Sequence, residues 1–281
     1  LRPAFSLLGA ADGTTMKGKK QKNLGAALLC ICIVASVQTY AGSIETLQLR
    51  DGVTQNILIL KPAGLPTASV VLFAGGDGEI GISKDGSIQN DGNFLVHSRD
   101  LFQKQGFLVA VYDMPDEIRD RDRYRLSNDH AADTAILIAR LRQLSSAPVW
   151  LVGTSRGTIS VAHVAAELKE AAAPDGVVLT ASVTRMSNSG RPNVYDAKLS
   201  KIVVPSLIVH HKNDECYVTL WCDQDDLLDG LKNAPKKALI GLTGGNAGAP
   251  DDECRATSHH GFLDIEEMAV QTITDWIKAT P

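Results

Sequence analysis

Three side chains in this 281-residue sequence could together carry out nucleophilic chemistry at a carbonyl: Ser155, Asp214 and His260. Ser155 is the centre of Gly153-Thr154-Ser155-Arg156-Gly157. The compact apolar run Val149 to Val152 precedes this pentapeptide, bounded by Pro148, and a mostly apolar stretch from Ile159 to Leu168 follows it. A buried strand, a five-residue turn and a helix start account for that order. The turn forces the serine backbone into a sparsely populated region. A side chain on either flanking glycine would meet the neighbouring strand or helix. The hydroxyl would then project from the carboxyl edge of a sheet, beside the unpaired amides that open the helix.

A serine hydroxyl is a weak nucleophile at neutral pH. It needs a base to take its proton, and that base needs an acid to orient it. Asp214 lies just after the apolar run that ends at His210, with Glu215 as its nearest rival. His260 lies in Ser258-His259-His260-Gly261-Phe262, before the last helical stretch. Of the two histidines, His260 is the expected base because it abuts Gly261 and the helix start. His210 and His211 read as a strand-end pair with structural or substrate-lining roles.

Positioning these groups requires a sheet. Ser43 to Leu49 and Gln55 to Leu60 read as strands joined at Asp51-Gly52, a hairpin signal. Ser69 to Phe73 is a third strand, ending in Ala74-Gly75-Gly76. A turn-rich loop runs from Asp77 to Asn93, followed by a helix over Phe94 to Gln105 with Gly106 as its stop. Phe107 to Tyr112 is a strand. The alternating acids and arginines from Glu117 to Arg125 are expected to be a solvated surface. Asn128 or Asp129 is expected to cap a helix over Ala131 to Gln143. After the strand at Val149 comes a helix reaching Ala172. Next come a strand over Gly176 to Val183, an irregular stretch over Arg185 to Lys201, and a strand over Val203 to His210. A helix over Leu220 to Asn233, a strand over Lys237 to Leu242, a loop over Gly244 to Ser258 and an amphipathic helix over Leu263 to Lys278 complete the chain. After the first hairpin, strands alternate with helices. This predicts an α/β fold: a mostly parallel sheet with helices on both faces and its site beyond the carboxyl ends of the strands.

The order Ser155, Asp214, His260, with the glycine-flanked serine turn and the His260-Gly261-Phe262 step, resembles the alpha/beta-hydrolase superfamily, and within it small lidless enzymes of the dienelactone-hydrolase or esterase type. The resemblance covers residues 42–281 and implies an alpha/beta-hydrolase fold in which Ser155 is the nucleophile, His260 the general base and acid, and Asp214 the orienting carboxylate. It implies ester or related acyl cleavage of a small-molecule substrate with no cofactor and no metal. Two backbone amides should receive the developing negative charge: that of Arg156 and that of Gly76, with Gly75 as the reserve. Many relatives carry His-Gly where this chain has Ala74-Gly75. The Arg156 guanidinium could meet an anionic substrate group or serve in a salt bridge.

Five cysteines are present. Cys30 and Cys32 fall in the N-terminal segment, leaving Cys216, Cys222 and Cys254. An odd number in an oxidising compartment implies one disulfide and one free thiol. If Asp214 and His260 touch, as the resemblance implies, their loops are neighbours and Cys216–Cys254 is the expected pair, with Cys222 free. A local Cys216–Cys222 bridge, or three buried thiols, are the alternatives.

Residues 16–41 read as a signal peptide: Met16, then four lysines (Lys17, Lys19, Lys20, Lys22), an apolar run from Leu24 to Val37, and small residues at Thr39 and Ala41, which places cleavage before Gly42. Residues 1–15 read as an over-extended start. The run is short for spanning, so no stable membrane anchor is expected after cleavage, and the product would be periplasmic or secreted. Without residues 1–41, 23 basic and 31 acidic residues remain, a net charge of −8. Together with the absence of any basic run, that argues against nucleic acid as a partner.

Three other readings compete. Gly76-Asp77-Gly78-Glu79-Ile80-Gly81 matches a dinucleotide-binding pattern, but the turn residues that follow interrupt the helix it needs. His210, His211, His259 and His260 with Asp214 could gather a metal for assisted hydrolysis, although adjacent histidines on extended chain point opposite ways. A fold that keeps its serine turn could also be a catalytically inactive binding module.

Overall fold

The structure, a computed structural model, describes residues 42–50 and 52–280. The N-terminal segment read as a leader, and Asp51 of the first turn, lie outside the described residues. Eight strands form one sheet: β1 Ser43–Gln48, β2 Thr54–Leu60, β3 Ala68–Phe73, β4 Phe107–Tyr112, β5 Val149–Thr154, β6 Gly176–Thr180, β7 Ser206–His211 and β8 Lys237–Leu242. Their order across the sheet is β1-β2-β4-β3-β5-β6-β7-β8. The pairs β1/β2 and β2/β4 are antiparallel; every pair from β4 to β8 is parallel. The expected N-terminal hairpin and mostly parallel sheet are both present.

β3, β4 and β5 are buried along their whole length, as continuous apolar runs covered on both faces must be. The helices are α1 Phe94–His97, α2 Arg99–Lys104, α3 Arg121–Arg125, α4 Asn128–Leu144, α5 Gly157–Glu167, α6 Gln224–Gly230 and α7 Glu266–Lys278. Alternate residues of one strand serve opposite cores. Val71 and Phe73 pack with α4, α5 and α6 through Leu137, Leu141, Val161, Ala165 and Leu227. Val70 and Leu72 pack with α1, α2 and α7 through Phe94, Phe102, Val270 and Ile273. Trp150 of β5 meets Trp276 of α7 edge to face at 5.5 Å. Among the described residues no helix is long and apolar enough to cross a membrane.

Several boundaries differ from the sequence reading. The helix expected over Phe94 to Gln105 is two short ones, parted at Ser98. The helix after the serine turn stops at Glu167, before a single 3-10 turn at Glu170–Ala172. Helix α4 is capped by Ser127, whose side chain accepts from the His130 amide, and not by Asn128 or Asp129. The strand expected over Gly176 to Val183 ends at Thr180, and the one read from Val203 starts at Ser206 and runs through His211. The stretch from Leu220 to Asn233 is helical only over a 3-10 turn at Trp221–Asp223 and α6. The terminal helix begins at Glu266, three residues later than expected.

The largest correction concerns the charged stretch before α4. Arg121–Arg125 forms helix α3, and Arg125 is only 1% exposed. Charge alternation reads as solvated because it reports composition. Burial there is decided by what packs on top of it.

Candidate active site

Ser155 closes β5 at φ 50°, in the left-handed region that costs a side-chain-bearing residue energy. Both flanking glycines are required by close approach. A Cβ on Gly157 would lie 2.3 Å from the Phe73 carbonyl oxygen, and one on Gly153 would lie 2.6 Å from the Gly157 carbonyl oxygen. The Ser155 amide donates to the Thr180 carbonyl at 2.9 Å. Its own carbonyl accepts from the Thr158 amide at 3.0 Å and the Thr158 hydroxyl at 2.6 Å, so the strained residue is held from both sides. Arg156 is the N-cap position of α5. Among the described residues, neither its amide nor that of Gly76 is spent on another backbone carbonyl.

Asp214 follows β7 and is 4% exposed, whereas its rival Glu215 is exposed. Its Oδ2 accepts from His260 Nδ1 at 3.0 Å and from the Thr219 hydroxyl at 2.9 Å; its Oδ1 accepts from the Cys216 amide at 3.0 Å. Burial opposes ionisation of this carboxyl. The hydrogen bond and charge of His260 and the Cys216 amide outweigh it, and hold its pKa below the usual value. With Nδ1 donating to a carboxylate, Nε2 of His260 is the ring nitrogen left to accept a proton.

His260 sits in a 3-10 turn whose N-cap, the Ser258 hydroxyl, accepts from the His260 amide at 3.2 Å. His259 points elsewhere: it stacks on His211 at 4.2 Å and hydrogen-bonds the Asn213 carbonyl at 3.0 Å. Of the two histidines, only His260 meets Asp214. His211 in turn reaches the Gly244 carbonyl at 2.8 Å. Among the described residues no cluster of three or more His, Cys, Asp and Glu side chains suits a metal ion.

Ser155 and His260 line one small slot of about 50 Å³, together with Gly75, Gly76 and Asn93. They share the slot without a hydrogen bond between the hydroxyl and the ring. A cavity of about 250 Å³ opens from Ser155 between Arg156, Val183, Arg191, Tyr217 and Val218. A larger crevice, about 850 Å³, runs along Lys212, Glu215, Tyr217 and Arg255 and reaches neither Ser155 nor His260. Ser155 therefore opens onto the smaller spaces.

Cys216 and Cys254 form a disulfide that ties the Asp214 loop to the loop before His260, and Cys222 is free and exposed. Of the two uses considered for the Arg156 guanidinium, the structure has the salt bridge. It pairs with Asp122 and lies 3.9 Å from Asp77, and Arg191 bridges the same two acids at 3.3 and 3.5 Å. Arg191 comes from the irregular stretch after β6, so this ion-pair set joins that stretch to the glycine loop, helix α3 and the turn after Ser155. The glycines from Gly76 to Gly81 do not open a helix. The Ile80, Gly81 and Ile82 amides, which a phosphate would need, all donate to the Asp113 carboxylate at 2.7–3.3 Å.

Sequence reasoning missed three residues of the site. Thr219 supports Asp214, and its hydroxyl is also 3.2 Å from His260 Nδ1. Arg125 lies beneath the glycine loop, donating to the Gly76 carbonyl at 3.1 Å and to the Ser160 hydroxyl of α5 at 2.7 Å, and burial pushes its pKa down to about 10. Asn93 caps α1. An Asn directly before the apolar Phe94-Leu95-Val96 was a legible cap signal, whereas nothing local marks Thr219 or Arg125.

His210 is wholly buried, with Nε2 3.4 Å from Asp214 Oδ2, and burial pushes its pKa down to about 4. His130, fully buried between α4 and the sheet, is likewise held well below its ordinary value by burial. Both stay neutral in the fold at pH values where the unfolded chain takes up a proton. Stability should therefore be fully present above pH 6.5 and decline as pH falls from about 6.5 toward 4, with His210 alone contributing up to about 3 kcal/mol. Urea unfolding from pH 7.5 to 4.5 should show this decline, and His210→Gln should reduce it to the part that His130 contributes. A pH-independent unfolding free energy would contradict the assignment.

No protein-family model and no curated protein sequence matches the chain. Solved structures do. A dienelactone hydrolase from Anabaena variabilis superposes with a TM-score of 0.60 at 14% identity, over 86% of this chain and 98% of its own. An esterase from Pyrococcus furiosus gives 0.61 at 10% identity, over 86% and 93%. A serine hydrolase without a lid from Xanthomonas campestris gives 0.57 at 15% identity, over 85% and 97%. The parallel sheet entered through an antiparallel hairpin, the strained serine turn after β5 and these superpositions agree: the chain has the alpha/beta-hydrolase fold.

Proposed function

We propose that the chain is a serine hydrolase that cleaves esters or closely related acyl bonds of small substrates. Ser155 Oγ attacks the carbonyl carbon while His260 Nε2 takes its proton. Asp214 holds the imidazole in the required tautomer and stabilises the imidazolium that forms. The Arg156 and Gly76 amides receive the charge on the carbonyl oxygen. A preorganised donor of this kind contributes about 3–4 kcal/mol to the barrier. The carbon–oxygen bond to the leaving alcohol breaks as His260 returns the proton to it. Water, deprotonated by the same ring, then releases the acid and regenerates Ser155.

The observation that carries the reading is the buried Asp214–His260 hydrogen bond at the wall of the slot that contains Ser155. The superposed proteins named as a dienelactone hydrolase, an esterase and a serine hydrolase support it further. The 250 Å³ cavity suits a short or medium acyl chain. The test is a series of p-nitrophenyl esters of increasing chain length, run with wild type and Ser155→Ala. Turnover should be highest for short chains and should vanish in the variant. Equal rates in the two proteins, or no labelling of Ser155 by a fluorophosphonate, would favour a non-catalytic binding role.

The same proposal includes export. The lysines and apolar run of residues 17–37 support it, as does a disulfide between Cys216 and Cys254, a bond that persists in oxidising compartments. Expressed from Met16 in a bacterium, the protein should leave the cytoplasm and begin at Gly42 on N-terminal sequencing. A product retaining Met16 would count against cleavage.

A further inference from the structure

Asn93 occupies a position that capping alone does not explain. Its Oδ1 accepts from the Leu95 amide at 3.3 Å, the ordinary duty of an N-cap side chain. That bond fixes which end of the amide is which, so Nδ2 is the arm left over. Nδ2 lies 3.3 Å from the point a Cβ on Gly75 would occupy, and Ser155 Cβ lies 2.9 Å from the same point. The side-chain amide and the nucleophile thus border one gap, kept open because residue 75 has no side chain. The 50 Å³ slot lined by Ser155, His260 and Asn93 is large enough for an oxygen-bearing group and little more. Among the described residues no acceptor takes the Nδ2 hydrogens.

The placement is rigid. Phe94, next along the chain, packs on Phe262 at 4.8 Å, two residues after His260. The Asn93 carbonyl accepts from the His97 amide at 2.8 Å. The backbone that carries this amide is therefore fixed beside the histidine loop, and Oδ1 is fixed by the cap, as electrostatic preorganisation requires.

We infer that Asn93 is a further catalytic residue, a side-chain donor that joins the Gly76 and Arg156 amides in binding the oxyanion formed when Ser155 attacks. The inference rests on the hydrolase reading and deepens it. A donor that acts on charge present only in the transition state should alter kcat and leave KM nearly unchanged.

Asn93→Ser and Asn93→Asp separate this role from capping, because Ser, Asp and Asn cap a helix about equally well while neither replacement can donate as the amide does. With p-nitrophenyl acetate, kcat should fall about 30- to 300-fold in Asn93→Ser and at least as far in Asn93→Asp, whose carboxylate repels the oxyanion. KM should stay within about threefold, and the melting temperatures should stay close to that of wild type. Affinity for a trifluoromethyl ketone analogue should fall by the same factor as kcat/KM. A kcat within threefold of wild type in both variants overturns the inference, as does a loss that appears in KM alone or follows the melting temperature. Wild type and Ser155→Ala in the same assay keep the two readings apart. An inactive wild type removes both, whereas an active one with unimpaired Asn93 variants removes only this one.

Discussion

Ser155→Ala should lower kcat for a short p-nitrophenyl ester by about 10⁴- to 10⁶-fold, and His260→Ala in the same protein should cost almost nothing more. The reason is that, in the proposed mechanism, the hydroxyl and the imidazole act as one unit. Once either is gone no proton transfer remains for the other to assist, so the double variant should resemble each single one. Some acceleration over water should persist, because the proposed Arg156 and Gly76 donors would still face the carbonyl oxygen. Asp214→Asn should be less severe than either, yet still large. An amide at residue 214 would leave the imidazole in the wrong tautomer, and the Thr219 and Cys216 donors would lose their anionic acceptor. Steady-state kinetics on the three single variants and the Ser155/His260 double variant would check this. Additive losses in the double variant would mean that the two residues do not cooperate and that the hydrolytic assignment is wrong.

Removing the disulfide should have the largest effect on stability. Cys216 and Cys254 are 38 residues apart in sequence, and cross-linking a loop of that length restrains the unfolded chain by about 4 kcal/mol in the chain-entropy model. For a domain of this size, Cys216→Ser with Cys254→Ser should lower the melting temperature by roughly 10 °C or more. Activity should fall as well, because the Cys216 amide is one of the donors to Asp214 and Cys254 lines the slot beside Ser155. Thermal melts of wild type with and without reductant, alongside the double variant, should show matching shifts. A melting temperature within about 2 °C of wild type would mean that the two loops are held by packing and that the bridge is incidental.

The parts of the site that could be read in advance share a property: their signal is local. The turn around Ser155 is fixed by two glycines whose Cβ positions are taken by backbone atoms, and that demand is visible in five residues. Strands β3, β4 and β5 are continuous apolar runs, and such runs bury themselves wherever they lie. The choice of His260 over His259 was legible only in part. What separates the two in space is that His259 stacks on His211, a contact between residues nearly fifty positions apart along the chain.

The misreadings have the opposite character. Arg125 stands in a stretch of alternating charge and looked solvated, yet it lies under Gly76 with Ser160 as its other partner. Thr219 is an ordinary threonine until the fold brings it to Asp214. Ser98 divides what composition reads as one helix. In each case the deciding partner comes from a distant segment, and no window along the chain contains it.

Sequence by itself thus determined the strands, the strained turn and the identity of the residues able to do chemistry, because steric demand and hydrophobic period act between near neighbours. Only the tertiary structure decided which of those residues meet. It set Asp214 against His260, Asn93 across Gly75 from Ser155, and Arg125 beneath the glycine loop, because such contacts depend on how the whole sheet stacks and closes its loops at one edge.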